Sequence, residues 1–311
     1  MCLNQIYELA LKDPRIFFVG SDLGYETLKQ FKAQMPDRFL MEGVSEANLI
    51  GISAGLGMEG KIVYANTIAT FLTRRCFEQI VLDMGLHKTN VRLIANGGGL
   101  VYAPLGPTHL AIDDIAILRA VPNMTIIAPC DAQEMKRLMP LTVDHSGPMY
   151  IRLAKGSDPI VSSESIPFRI GKAIPMREGK DILVVTTGIT LHLALKAADI
   201  LNGEGIEVAI LHMPTIKPLD TETLLHYVGQ VQAVLTVEEH SIIGGLGSAV
   251  AETIAEANFT SVKRFKRIGI PDVFADHYGS QQDLMSYYGI SAAHICAGAK
   301  QLLSSQDEVT V

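Results

Sequence analysis

Apolar and polar positions alternate along this chain in two rhythms. Residues 3–12 carry apolar side chains at helical spacing and stop at Asp13-Pro14, and Ile-Phe-Phe-Val at 16–19 is an unbroken apolar run of strand length. The succession returns: residues 61–66, 91–95, 124–128 and 149–153 are short β-rich runs, each separated from the next by enough chain for a crossover helix. This predicts an α/β domain with a doubly wound parallel sheet. Ligands of such sheets gather beyond the carboxyl ends of the strands. There the chain places Gly20-Ser21-Asp22, Asn66-Thr67, Asn96-Gly97-Gly98-Gly99, Cys130-Asp131 and Ala154-Lys155-Gly156.

Between residues 157 and 180 the composition turns to Ser, Pro and Gly, with a hairpin expected around Arg177-Glu178-Gly179. Alternation then resumes, with strands over 182–186, 207–211 and 233–237 and helices over 191–201, 221–228 and 249–257. The expected organisation is a first domain over 1–160, a linker over 161–178 and a smaller, second doubly wound α/β domain over 179–311. The turn Gly244-Gly245-Leu246-Gly247 could hold an anion at a helix start, but packing is the favoured reading for an isolated glycine cluster.

Composition narrows the function classes. The chain has 311 residues, 48% of them hydrophobic and 19% charged, and no Trp. Apolar surface must remain outside the cores, which points to an oligomer. A net charge of -7 with no Lys/Arg cluster excludes a nucleic-acid or anionic-membrane surface. No apolar run reaches the roughly 18 residues of a membrane span, and Met-Cys-Leu-Asn-Gln-Ile-Tyr-Glu at the start is not a signal peptide, so a cytoplasmic location is expected. Cys2, Cys76, Cys130 and Cys296 are scattered, without Cys-x-x-Cys or a local His ligand pattern, and read as reduced structural thiols with no metal site.

One stretch stands apart. Glu46 heads an apolar, small-residue segment, and the run 47–57 contains no other charge. The carboxylate should therefore enter a dry interior, where it favours its neutral form or a hydrogen-bonding partner. On position alone, a helix-start carboxylate satisfying free backbone N–H groups is an equal reading. Phe71 and Arg74 fall on the next helix; without further information Phe71 reads as a core aromatic with Phe77.

Taken together, G-S-D-L at 20–23, P-D-R-F-L-M-E-G-V-S-E-A at 36–47, T-F-L-T-R at 70–74, G-P-T-H at 106–109, L-R-A-V-P-N-M at 118–124, I-K-P-L-D at 216–220 and V-E-E-H-S-I-I-G-G-L-G-S-A-V-A-E at 237–252 resemble, in order, the transketolase superfamily of thiamine diphosphate enzymes. The resemblance covers nearly the whole chain. It implies a pyrimidine-binding domain followed by a transketolase C-terminal-like domain, without the family's diphosphate-binding domain: no G-D-G motif occurs. The chain looks like half of a split enzyme, with Mg²⁺ ligands expected from a separately encoded diphosphate-binding subunit and a heterotetramer as the assembly.

The resemblance also implies roles. Glu46 matches the carboxylate that hydrogen-bonds the cofactor's pyrimidine nitrogen, and Phe71 the aromatic stacked on that ring. Asp22 would approach the thiazolium; its other reading is a strand-end turn residue. Arg74 matches an arginine of the deoxyxylulose-type branch. His109 matches a histidine facing the reacting carbons, the competing reading being the start of a helix over 110–118. Arg152 and Lys155 stand where relatives bind a substrate anion. Gly97 and Leu105 replace a histidine and an aspartate that read sugar phosphate and hydroxyl, so the sugar should not be read as in ordinary transketolases. The reading is a split transketolase moving a two-carbon ketol unit from a ketose, phosphorylated or otherwise acid-substituted, to an aldehyde. A 2-oxoacid dehydrogenase E1 β subunit, a split deoxyxylulose-phosphate-synthase-like enzyme and a non-catalytic assembly subunit are the alternatives.

Overall fold

In a computed structural model, which describes residues 1–24, 26–154 and 156–304, the chain folds into two parallel-dominated sheets. The first contains β1 (Ile16–Gly20), β2 (Phe39–Met41), β3 (Ile62–Ile68), β4 (Val91–Asn96), β5 (Thr125–Ile127) and β6 (Met149–Arg152). The second contains β7 (Ile174–Arg177), β8 (Ile182–Thr186), β9 (Val208–His212), β11 (Ala233–Ser241) and β12 (Arg264–Ile270). Between β9 and β11 lies β10 (Thr215–Lys217), which leaves its own half of the chain and joins the first sheet. The unbroken apolar runs make sense here, because parallel strands covered by helices bury both faces; every residue of β8 and β9 is buried.

The strand order β10-β5-β6-β4-β3-β1-β2 makes the winding change direction between β1 and β3. A crevice therefore opens at the carboxyl ends of these two strands. Asp22 follows β1 there, and the helix Ala69–Arg74, with Phe71, follows β3.

Two local expectations change. β7 pairs antiparallel with β9 rather than forming a hairpin with β8, because β8 is held on both edges by β9 and β11. The helix expected from residue 110 begins only at Asp114, since Ala111 exchanges backbone hydrogen bonds with Gly99 and is extended. The strands β2, β7, β10 and β12 carry too few residues or too mixed a pattern to be read in the sequence.

The two halves are clasped together. β10 pairs antiparallel with β5, and Lys217 Nζ donates to the carbonyls of Arg119 and Val121. Within the second half, Asp220 caps the helix Thr221–Gln230 and accepts the Ala173 N–H. Leu100, Ala103, Leu110 and Ile112 of the first half pack into the core of the second. The glycine turn at 244–247 is closed from within: Glu238 accepts the N–H groups of Leu246 and Gly247 at 2.7 and 2.8 Å.

All four cysteines are buried free thiols. Among the described residues no helix is long and apolar enough to cross a membrane.

Candidate active site

Glu46 is the first residue of the helix Glu46–Met58 and is 3% exposed. The Ser45 side chain turns back to the Glu42 carbonyl, so the cap position does not supply the carboxylate's partner. That partner is Arg75, whose Nη1 donates to Glu46 Oε2 at 2.8 Å. The guanidinium also lies over the Phe71 ring, 4.3 Å from its centroid. Phe71 in turn meets His109 edge to face, with ring centroids 5.0 Å apart. Glu46, Arg75, Phe71 and His109 thus form one continuous chain of contacts, assembled from three segments distant in sequence.

His109 sits in the turn before Asp113, not at a helix start, and shares a 2.9 Å hydrogen bond with the Thr108 hydroxyl through Nδ1. Asp22 is exposed in the turn after β1 and accepts from the Ser21 hydroxyl. Arg74 clamps the turn that carries His109: Nε and Nη2 reach Asp113, and Nη2 also reaches the Leu110 carbonyl. Lys155 lies outside the described residues.

Arg152 faces inward. Its Nε donates to Asp114 Oδ2 at 2.7 Å, and its Nη2 to Asp114 Oδ1 and to the carbonyls of Ala111 and Glu239. Asp114 is fully buried and also accepts the Tyr150 hydroxyl at 2.6 Å. Burial works against charge on both members of this pair. Their mutual attraction wins: the Asp114 carboxyl is held below the usual range and the Arg152 guanidinium is raised further.

Beside this pair, Glu239 is pushed up to about 7 by burial, which outweighs Arg152, Gln281 and the Leu100 N–H on its oxygens.

The loop 96–100 is a glycine floor, each glycine covered by a different side chain. A Cβ would fall 2.1 Å from the Tyr102 ring at Gly97, 2.4 Å from Arg152 at Gly98 and 2.4 Å from Glu239 at Gly99. Tyr102, Arg75 and Glu239 are the residues that sequence reasoning passed over. A signal existed for Arg75 alone, in the doubled arginine after T-F-L-T. Tyr102 and Glu239 become visible only when loop and second domain meet.

A second buried group is assembled across the halves: donor atoms of Cys130, Glu134 and His212 lie within 4.8 Å of one another. Glu134 Oε2 accepts the Cys130 N–H at 2.7 Å and shares a hydrogen bond with His212 Nε2 at 3.1 Å, an internal clip between β9 and the helix Ala132–Leu138.

Residues 2–159 match the transketolase pyrimidine-binding domain, and residues 171–295 match the transketolase C-terminal domain. A 6-deoxy-6-sulfo-D-fructose transketolase subunit of Clostridium sp. is 36% identical, over 96% of this chain and 92% of its own length. An apulose-4-phosphate transketolase subunit of Phocaeicola vulgatus is 36% identical, over 96% and 95%. A solved structure of a split gene transketolase, an inactive beta4 tetramer, superposes with a TM-score of 0.88 at 36% identity, covering 97% of this chain and 96% of that one.

Proposed function

Since the chain belongs to the transketolase family, we propose that it is the pyrimidine-side subunit of a split transketolase. It would transfer a two-carbon ketol unit from a ketose to an aldehyde together with a separately encoded diphosphate-binding subunit. The observation that carries this is the buried Glu46 carboxylate, joined to the Phe71 ring through Arg75, at the head of a helix that offers it no other charge.

The residues fit thiamine diphosphate. The hydroxyl of Thr70, which precedes Phe71 in the chain, is buried without a partner, a polar atom left for a ligand to satisfy. The chemistry supplied by bound thiamine diphosphate is a nucleophilic carbon and an electron sink. This chain's part is to place and protonate. Glu46 would share a hydrogen bond with a pyrimidine nitrogen at a place where its burial keeps bulk water from competing. Phe71 supplies a flat face, worth about 0.5 to 1.5 kcal/mol beyond its burial. His109, fixed against that ring, hydrogen-bonds sugar oxygens at the reacting carbons. Asp22, on the same crevice, places a negative charge toward a cationic ring. Mg²⁺ and the diphosphate fall to the partner subunit.

Val44 and Leu86 are exposed at 74% and 68% near the Glu46 helix, which supports burial against another chain. Two copies of each subunit would surround two cofactors. The purified chain, given thiamine diphosphate, Mg²⁺ and a panel of ketoses, is expected to turn over nothing, and activity should appear when the diphosphate-binding subunit is added. Ketol transfer by the chain alone would refute the split reading, and the mass of the mixed subunits tests the heterotetramer.

Arg75 makes both contacts an aminopyrimidine would need, so it must swing out when the cofactor binds. Its side chain is 47% exposed, so its ion pair is weak and its hold on Phe71 modest. In the assembled complex, Arg75→Ala should tighten thiamine diphosphate binding by roughly fivefold, measured by calorimetric titration. Weaker binding would mean that Arg75 holds the cofactor itself.

A further inference from the structure

The cavity next to His109 is built around a side chain that plays no part in the roles above. Asn96, Val101, Tyr102, Pro104, Leu105 and Ala154 line a half-open cavity of about 370 Å³ over the Gly97 backbone, and none of the described residues lining it is charged. Gly97 has φ +74°, in the left-handed region, and the Tyr102 ring lies so close over it that a Cβ would fall 2.1 Å from Cε2. No side chain can occupy position 97 while that ring is in place. The same ring stands edge-on to His109, with centroids 6.5 Å apart and planes at 71°, and it packs against the apolar core shared by both halves. It is therefore held from beneath by the glycine and from behind by the core. Burial raises its phenol above the ordinary value, so it stays a neutral hydroxyl able to donate or accept. Leu105, also on the cavity wall and 51% exposed, offers no hydrogen bond.

We propose that Tyr102 is the specificity-determining residue of this site, admitting an uncharged and partly deoxygenated segment of the sugar that takes one hydrogen bond from the phenol and lies against Leu105. The inference rests on the transketolase reading. A fully hydroxylated chain entering here would set one hydroxyl against leucine, which returns no hydrogen bond for the water that the bound sugar displaces. Such a mismatch disfavours the parent sugar by roughly tenfold to a hundredfold.

The test uses the complex reconstituted with its diphosphate-binding subunit. It compares kcat/KM for ketoses and their matched deoxy analogues at each carbon beyond C3, whose own hydroxyl must stay because it becomes the carbonyl of the released aldehyde. In the wild type at least one deoxy analogue should lead its parent by about tenfold or more. Tyr102→Ala opens the wall to water, so that lead should collapse toward unity. Tyr102→Phe keeps the packing and removes one hydrogen bond, so both members of the pair should lose rate alike and the lead should remain. Leu105→Asn, which needs no change at Tyr102, should reverse the lead. Wild-type ketol transfer with fully hydroxylated sugars preferred throughout, or a lead unchanged in Tyr102→Ala, overturns the inference and leaves the enzyme reading standing. No ketol transfer by the wild-type complex with any ketose overturns that reading, and the inference falls with it.

Discussion

Glu46→Gln is expected to fold normally and to lose activity by at least roughly 10² to 10⁴, the range for a positioned proton-transfer group. Glutamine keeps the shape and can still meet Arg75 through its amide oxygen, so the helix head and the 2.8 Å contact need not change much. What it cannot do is hold a proton between itself and a ring nitrogen. The direct measurement is exchange of the cofactor's C2 proton in deuterated buffer, in the complete complex, beside a thermal melt of each variant. Exchange as fast in Glu46→Gln as in the wild type would make Glu46 a structural residue. A large loss of melting temperature would show that the Arg75 pair contributes to the fold.

The second large effect falls on stability. Asp114→Ala leaves Arg152 charged, 8% exposed and without its carboxylate, and strips the Tyr150 hydroxyl of its acceptor. Removing one member of a buried pair costs about 3–5 kcal/mol, a large part of the roughly 5–15 kcal/mol that holds a domain folded. Denaturant or thermal unfolding should register it plainly. The double variant Asp114→Leu with Arg152→Met should recover part of the loss, because it removes the unpaired buried charge while the Tyr150 hydroxyl stays without its acceptor. If Asp114→Ala instead unfolds like the wild type and only activity falls, Arg152 belongs to substrate binding, as the resemblance implied.

Arg152 shows where sequence reading stops. I-R-L-A-K-G lies at the end of a strand that is legible from its apolar run, and the resemblance assigns its arginine to substrate binding. The strand exists, but Asp114, Ala111 and Glu239 come from a helix, a loop and the second domain. No spacing rule links residues 114, 152 and 239. Arg74 and Arg75 make the same point at closer range: neighbours in sequence, one reaches Asp113 and the other Glu46. Which of the two reaches the buried carboxylate depends on how the short helix Ala69–Arg74 ends against the Glu46 helix.

By itself the sequence determined what depends on local periodicity and on residue chemistry: the alternation of buried strands and helices, the parallel sheets it requires, the loops at strand ends where a site can form, and the dryness around Glu46. Apolar period and strand length act over a few residues, so they can be read within one segment. The tertiary structure alone decided what depends on segments meeting. It carried β10 across to the first sheet, turned Arg152 inward, placed Arg75 on Glu46 and Phe71, and laid Tyr102 over Gly97 beside His109. The physical reason is that a buried charge or ring takes whatever partner packing brings within reach, and packing joins residues with no fixed separation along the chain.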